Sequence, residues 1–144
     1  MSIVKTVLSA KGSEVASIGK TETVLDAAAW MNERAIGCLV VTDGDRVIGI
    51  FTERDVLRRI VAAKQDPAQM TVGEVMTAPV ACCRPDTTLA ECRAVMTEKR
   101  IRHLPVVDDD RLCGIVTIGD LMAQEVGEHQ ATIEYLQSYI LGDR

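Results

Sequence analysis

Shifted by 65 residues, the chain aligns with itself without a gap: Thr6–Leu57 falls on Thr71–Met122, with 18 identities in 52 positions. Matched pairs include Thr23/Thr88, Met31/Met96, Leu39/Leu104, Val41/Val106, Asp43/Asp108, Gly49/Gly114, Thr52/Thr117 and Asp55/Asp120. Chance supplies only a few such matches, so the repeat is the building unit of the fold. A chain of 144 residues has room for two small halves. One half alone buries too little apolar surface to be comfortable, so the two must share a core.

Each copy reads as β-α-β-β-α. Short strands are expected near Val15–Ile18 and Val80–Cys83. Helices follow, opened by Thr23-x-x-Asp26 and Thr88-x-x-Glu91, two capping boxes in which the hydroxyl accepts a free N–H and the acid reaches back. Val24, Ala28, Met31 and Ala35 share one helical face. Two apolar runs around the polar turn Asp43–Arg46 predict a hairpin, repeated around Asp108–Arg111. A second helix begins at Thr52 or Thr117, and in the first copy Val56, Leu57, Ile60 and Val61 give it a stripe to bury. The fold class is therefore α/β (α+β): two β-α-β-β-α repeats packed sheet to sheet about a pseudo-two-fold axis. The expected divisions are repeat one at 1–62, a linker at 63–70 around Asp66-Pro67, repeat two at 71–126, and a tail at 127–144. Ile133, Leu136 and Ile140 make the tail an amphipathic helix, docked on this chain or on a partner subunit.

The formal charge of −5 argues against a general nucleic-acid binder, because the phosphate backbone rewards clustered positive charge. No apolar run approaches the ~20 residues of a membrane span, and the N-terminus lacks the pattern of a signal peptide. Cys38, Cys82, Cys83, Cys92 and Cys113 are odd in number and form no CxxC, which fits reduced thiols in a cytoplasm. No catalytic residues and no metal site are expected: there is no HExxH, no Walker loop and no Ser/His/Asp order.

The motif that carries chemistry is Gly-h-x-Thr-x-x-Asp, present as Gly49-Ile-Phe-Thr52-Glu-Arg-Asp55 and as Gly114-Ile-Val-Thr117-Ile-Gly-Asp120. Together with Ile101-Arg-His-Leu-Pro-Val-Val107 and Val72-Gly-Glu-Val-Met76, this doubled motif resembles the CBS (cystathionine-β-synthase) domain family, whose tandem pairs are called Bateman modules. The resemblance covers about residues 6–122. It implies a regulatory module that binds an adenine nucleotide and catalyses nothing. The bound ligand would be AMP, ADP, ATP or NAD(H), with no catalytic cofactor. It also implies a homodimer of paired modules and a protein partner whose identity the sequence leaves open.

Glycine at 49 and 114 removes a side chain where a flat base approaches the strand. The hydroxyls of Thr52 and Thr117, with the free N–H groups at the helix start, suit a phosphate. Asp55 and Asp120 each offer two oxygens to a ribose diol; charged hydrogen bonds of that kind contribute about 1.5–3 kcal/mol. The same Thr-x-x-Asp pattern is also an ordinary helix cap.

The copies differ where they would meet a ligand: Arg102, His103 and Pro105 replace Gly37, Cys38 and Val40, and Glu53 and Arg54 replace Ile118 and Gly119. Pro105, lacking an N–H, marks an edge or a pocket wall. The expectation is one dominant site centred on Thr117 and Asp120, assisted by Arg54, Arg102 and His103, with Ile36, Gly37 and Ile101 nearby and the Thr52/Asp55 site weaker. Arg58 and Arg59 read as a solvated face. The alternatives are an interaction module with degenerate pockets, an S-adenosylmethionine binder, and a Cys38–His103 nucleophile.

Overall fold

The structure, a computed structural model, describes residues 2–125. The expected tail helix lies outside the described residues. The chain runs α1 (Val4–Lys11), β1 (Ser17–Gly19), α2 (Val24–Arg34), β2 (Cys38–Asp43), β3 (Arg46–Thr52) and α3 (Glu53–Asp55), which continues as a π-helical stretch over Val56–Val61. The second copy gives α4 (Val72–Val75), α5 (Leu89–Lys99), β4 (His103–Asp108) and β5 (Arg111–Thr117), then a helix α6 over 118–125. This is the mixed α+β architecture expected from the repeat.

Local chemistry explains the shared elements. Thr23 and Thr88 cap α2 and α5 by accepting the N–H of Asp26 and Glu91. The reciprocal half of the capping box forms only at Thr88–Glu91. Both helices end on a left-handed residue, Ala35 and Arg100. The buried face of α2 is Val24, Ala27 and Met31, with Ala27 in the place expected for Ala28. In the π-helical stretch Ile60 is buried but Leu57 and Val61 are 61% and 64% exposed, so the stripe meeting the core is narrower than the sequence suggests.

β2 and β3 form the expected hairpin, with β1 parallel to β2, and β4–β5 repeat the hairpin with an irregularity at the same place, Val41/Thr42 and Val106/Val107. The strand expected at 80–83 is not matched: only a bridge of Cys83 to Val106 remains. The cause is residue 105. In the first copy Val40 donates its N–H to the Ala16 carbonyl at 3.0 Å. Pro105 stands at that position and has no N–H to give. The chain stays attached through Cys83 alone, which donates to Pro105 and accepts from Val107, both at 2.9 Å. Pro105 is thus buried and flanked on both sides, not at a free edge.

The cores do not follow the repeat boundaries. Val4 and Val7 of α1 are buried with Leu89, Cys92, Leu104 and Val116 of the second copy. Val72 and Val75 of α4 are buried with Val24, Leu39, Val41 and Phe51 of the first. Each leading helix therefore completes the core of the other copy. Burying one such valine contributes about 1.5–3 kcal/mol. Strand-like pairing secures the exchange: Val4 donates to Thr87 at 2.8 Å and Val72 to Glu22 at 2.8 Å.

Register within these helices also departs from the gapless alignment. The bridges Ile3–Thr88 and Thr71–Thr23 are equivalent, yet Thr23 and Thr88 differ by 65 while Ile3 and Thr71 differ by 68. So α1 starts three residues early and, with eight residues against four in α4, runs about one turn longer.

The Val40 bond is testable. Val40→Pro removes a buried donor from the Ala16 carbonyl and is expected to cost about 1–3 kcal/mol, read from urea unfolding. An unchanged midpoint would show that β1 does not depend on it.

Candidate functional site

Where the two halves meet, a cavity of about 650 Å³ opens. That lies within the range of about 300–1,000 Å³ typical of small-molecule pockets. The first copy supplies Gly37, Ile50, Thr52, Glu53, Arg54 and Asp55. The second supplies the segment Thr77–Ala81, without residue 78, together with Lys99, Ile101, Arg102, His103, Thr117 and Ile118. Of the residues expected from sequence, Thr52, Asp55, Arg54, Gly37, Ile101, Arg102, His103 and Thr117 come together on this wall. Asp120, Pro105, Ile36, Gly49 and Gly114 are not among its lining residues. The aspartate at the cavity is thus Asp55, where Asp120 had been expected at the centre.

Strand ends and helix starts set the geometry. Glu53 donates its N–H to Gly37 at 3.1 Å, and Ile118 repeats this to Arg102 at 2.9 Å. Thr52 caps α3: its hydroxyl accepts from the Asp55 N–H, and its own N–H donates to Asp55 Oδ2 at 3.0 Å. The other oxygen, Oδ1, accepts from the Thr77 hydroxyl at 2.9 Å and lies 3.7 Å from Arg59 Nε. Asp55 is 5% exposed. Arg59 lies on the exposed face that its sequence context suggested, its side chain 49% exposed, yet it is anchored. Its guanidinium also donates to the Val75 and Met76 carbonyls at 3.1 and 3.0 Å, tying the end of α4 to the aspartate. Arg54 reaches across the halves to donate to the Arg100 carbonyl at 2.9 Å, at the left-handed end of α5.

Asp120 makes the same cap in the second copy. Thr117 donates to Asp120 Oδ2 at 2.8 Å, and the Asp120 N–H donates to the Thr117 hydroxyl at 3.1 Å. Its partner from the leading helix is a cation, Lys11, whose Nζ lies 2.8 Å from Oδ2 and donates to the Ile115 carbonyl at 3.0 Å.

The two motif glycines have a packing cause that displaces the expected role at a base. A Cβ on Gly49 would lie 2.5 Å from Met76 Sδ and 3.0 Å from the Thr77 carbonyl. One on Gly114 would lie 2.8 Å from Leu8 Cδ2. Each glycine lets the exchanged leading helix lie on the strand. The motif glycine is therefore a mark of the helix exchange.

The expected set of site residues left out Ile50, Glu53, Thr77, Pro79–Ala81, Lys99 and Ile118, which also line the wall. Lys99 had a usable signal, since it closes the helix that leads straight into Ile101-Arg102-His103. Thr77–Ala81 had none: Thr77 is held at the cavity by its bridge to Ile50, and Pro79–Ala81 follow it along the wall.

All five cysteines are free. Burial pushes the Cys38 thiol up to about 11, so it stays protonated at neutral pH and is a poor nucleophile. His103 is held below its ordinary 6.5, first by burial and then by Arg102 and Lys11, against the opposing pull of Glu53 and Asp120. A histidine favoured in its neutral form stabilises the fold fully above pH 6.5, and that contribution is lost as pH falls below the unfolded value. His103→Gln should therefore lose less stability than the parent between pH 7 and 5, in urea midpoints taken across that interval. A His103 resonance titrating above 6.5 in NMR would contradict this reading.

Among the described residues, no helix is long and apolar enough to cross a membrane and no three His, Cys, Asp or Glu side chains group to hold a metal ion. The CBS domain family matches residues 7–62 and 72–127. The mitochondrial CBS domain-containing protein CBSX3 of Arabidopsis thaliana is 36% identical over 126 residues, 84% of this chain and 61% of its own length. The chain thus spans about three fifths of that plant relative. Hypoxic response protein 1 of Mycobacterium tuberculosis is 34% identical over 125 residues, 86% of each chain. Its solved structure, with two coordinated zinc ions, superposes with a TM-score of 0.75 at 32% identity, covering 86% of this chain and 99% of that one. A CBS-domain protein structure from Burkholderia ambifaria MC40-6 is 40% identical, with a TM-score of 0.84 over 88% of this chain and 95% of its own. With both copies of the repeat matched and the same fold in these relatives, the chain belongs to the CBS domain family, as a tandem pair of the Bateman-module kind.

Proposed function

We propose that this chain is a regulatory module that takes an adenine nucleotide in the cavity between its halves and signals its presence to a partner, without turning it over. CBS pairs are commonly regulatory ligand-binding modules. The observation that carries the proposal is the presence in one cavity of Asp55 from the first copy and the cations Lys99 and Arg102 from the second. A carboxylate suits a ribose diol, and a basic cluster suits phosphate. The cavity also offers Ile50, Pro79, Val80, Ala81 and Ile101 as apolar surface for a base. AMP, ADP, ATP and NAD(H) share the adenosine that this arrangement reads. S-adenosylmethionine shares it too but brings no phosphate to the basic cluster. The setting we infer is cytoplasmic.

A second reading, an interaction module whose pockets are filled by its own side chains, is favoured by one fact: both Asp55 oxygens already have partners. The two readings separate in a thermal-shift panel. AMP at 100 times its dissociation constant should add about 2.7 kcal/mol of stability. Asp55→Asn should weaken AMP binding about tenfold or more and erase the preference over 2′-deoxy-AMP, with melting in the absence of ligand as the check on folding. No shift with any adenosine ligand at millimolar concentration would leave the interaction module standing.

For the homodimer we assign the apolar surface around Leu57 and Met122. These residues are equivalent across the repeat and are 61% and 60% exposed. The pair Leu57→Glu and Met122→Glu should convert a dimer to a monomer in light scattering. A double variant that keeps the parent mass would move the interface elsewhere.

A further inference from the structure

The two aspartates of the repeated motif are held by different chemistry, and the difference comes from the length of a helix. In the first copy α4 stops at Val75, and the chain turns so that Thr77 meets both groups at the strand end. The Thr77 N–H donates to the Ile50 carbonyl at 2.8 Å, and its hydroxyl to Asp55 at 2.9 Å. In the second copy α1 runs about one turn further, to Lys11. By the 68-residue equivalence Ser9 stands at the Thr77 position, still inside α1, with its hydroxyl spent on the Lys5 carbonyl at 2.9 Å. One ammonium does both jobs: Lys11 Nζ donates to Ile115 at 3.0 Å, the counterpart of Ile50, and pairs with Asp120 at 2.8 Å.

The consequence for a ligand is a matter of charge. At Asp55 Oδ1 an incoming diol displaces the neutral Thr77 hydroxyl, with Arg59 Nε standing off at 3.7 Å, whereas at Asp120 Oδ2 it must displace a cation bonded directly at 2.8 Å. The Lys11–Asp120 pair is half-sheltered, with side chains 30% and 19% exposed, so it is neither fully screened nor locked in the core. We propose that Lys11 is a built-in plug: it occupies the diol-reading aspartate of a latent second nucleoside site centred on Thr117 and Asp120, and so limits the chain to one site, at Asp55. This rests on the nucleotide reading above. The ligand class of the latent site is the same, a ribonucleoside with a free 2′,3′-diol.

The test is AMP binding by isothermal titration calorimetry, on the whole chain, for the parent, Lys11→Met and Lys11→Arg. Methionine keeps the length and apolar stem of lysine without its charge. The parent should bind one AMP per chain. Lys11→Met should bind two, its second site gaining about tenfold or more in affinity from removal of one charged bond. Lys11→Arg keeps the cation and should stay at one, and circular dichroism melting of all three proteins checks folding. An additional Asp120→Asn substitution in Lys11→Met should remove the gained site and leave the first. One AMP in both parent and Lys11→Met overturns the plug while leaving the nucleotide reading intact. Two in the parent does the same. If neither protein binds AMP, the nucleotide reading fails and the plug with it.

Discussion

Val4 and Val7 are buried among side chains that begin at Cys83, and Val72 and Val75 among side chains that begin at Ile18. This exchange of leading helices is the constraint on which the rest depends. Neither β-α-β-β-α unit encloses its core alone, because part of each core is supplied by a helix from the other copy. The hydrophobic term is proportional to area removed from water, so each half gains its stability from the presence of the other. The halves are thereby held face to face, and the cavity at their junction is a by-product of how the cores close.

The motif that looked most like a binding signature is in part a record of that exchange. Gly49 and Gly114 are small because Met76 and Leu8 lie on them. Thr52 and Thr117 cap helices, and Asp55 and Asp120 complete the caps. The caps also fix where the carboxylates point, which is what a ligand site requires of them. What separates the two copies is the group each leading helix brings to its aspartate: a threonine hydroxyl in one, a lysine ammonium in the other.

A single residue type makes the two sheets differ. Pro105 withholds the N–H that Val40 donates to Ala16, so the chain before it keeps one bridge instead of a strand. Thr77 is held at the junction by its bridge to Ile50, and Pro79–Ala81 follow it along the wall. Opposite, Arg54 spans to the end of α5 and Arg59 to the end of α4, so two arginines of one short helical stretch brace both flanks of the site. The asymmetry between the copies is thus built from backbone donors and long cations, on a scaffold that is otherwise repeated.

Much of this was legible in the chain. Period-two and period-3.6 patterns, doubled at a 65-residue spacing, determined the two hairpins, the two capped helices and the family. Eight of the residues expected at a site do line one cavity. The sequence did not reveal that the leading helices change places, since a buried valine pattern names no partner. It did not reveal that the equivalence slips from 65 to 68 there, since chance identities at Thr6/Thr71 and Val7/Val72 concealed the slip. Nor did it reveal which aspartate faces the cavity. Local composition determined the elements, because hydrophobic period and capping act over a few residues. Only the tertiary structure decided that Lys11 meets Asp120 and Thr77 meets Asp55, because those contacts depend on helix length and on which core each helix fills.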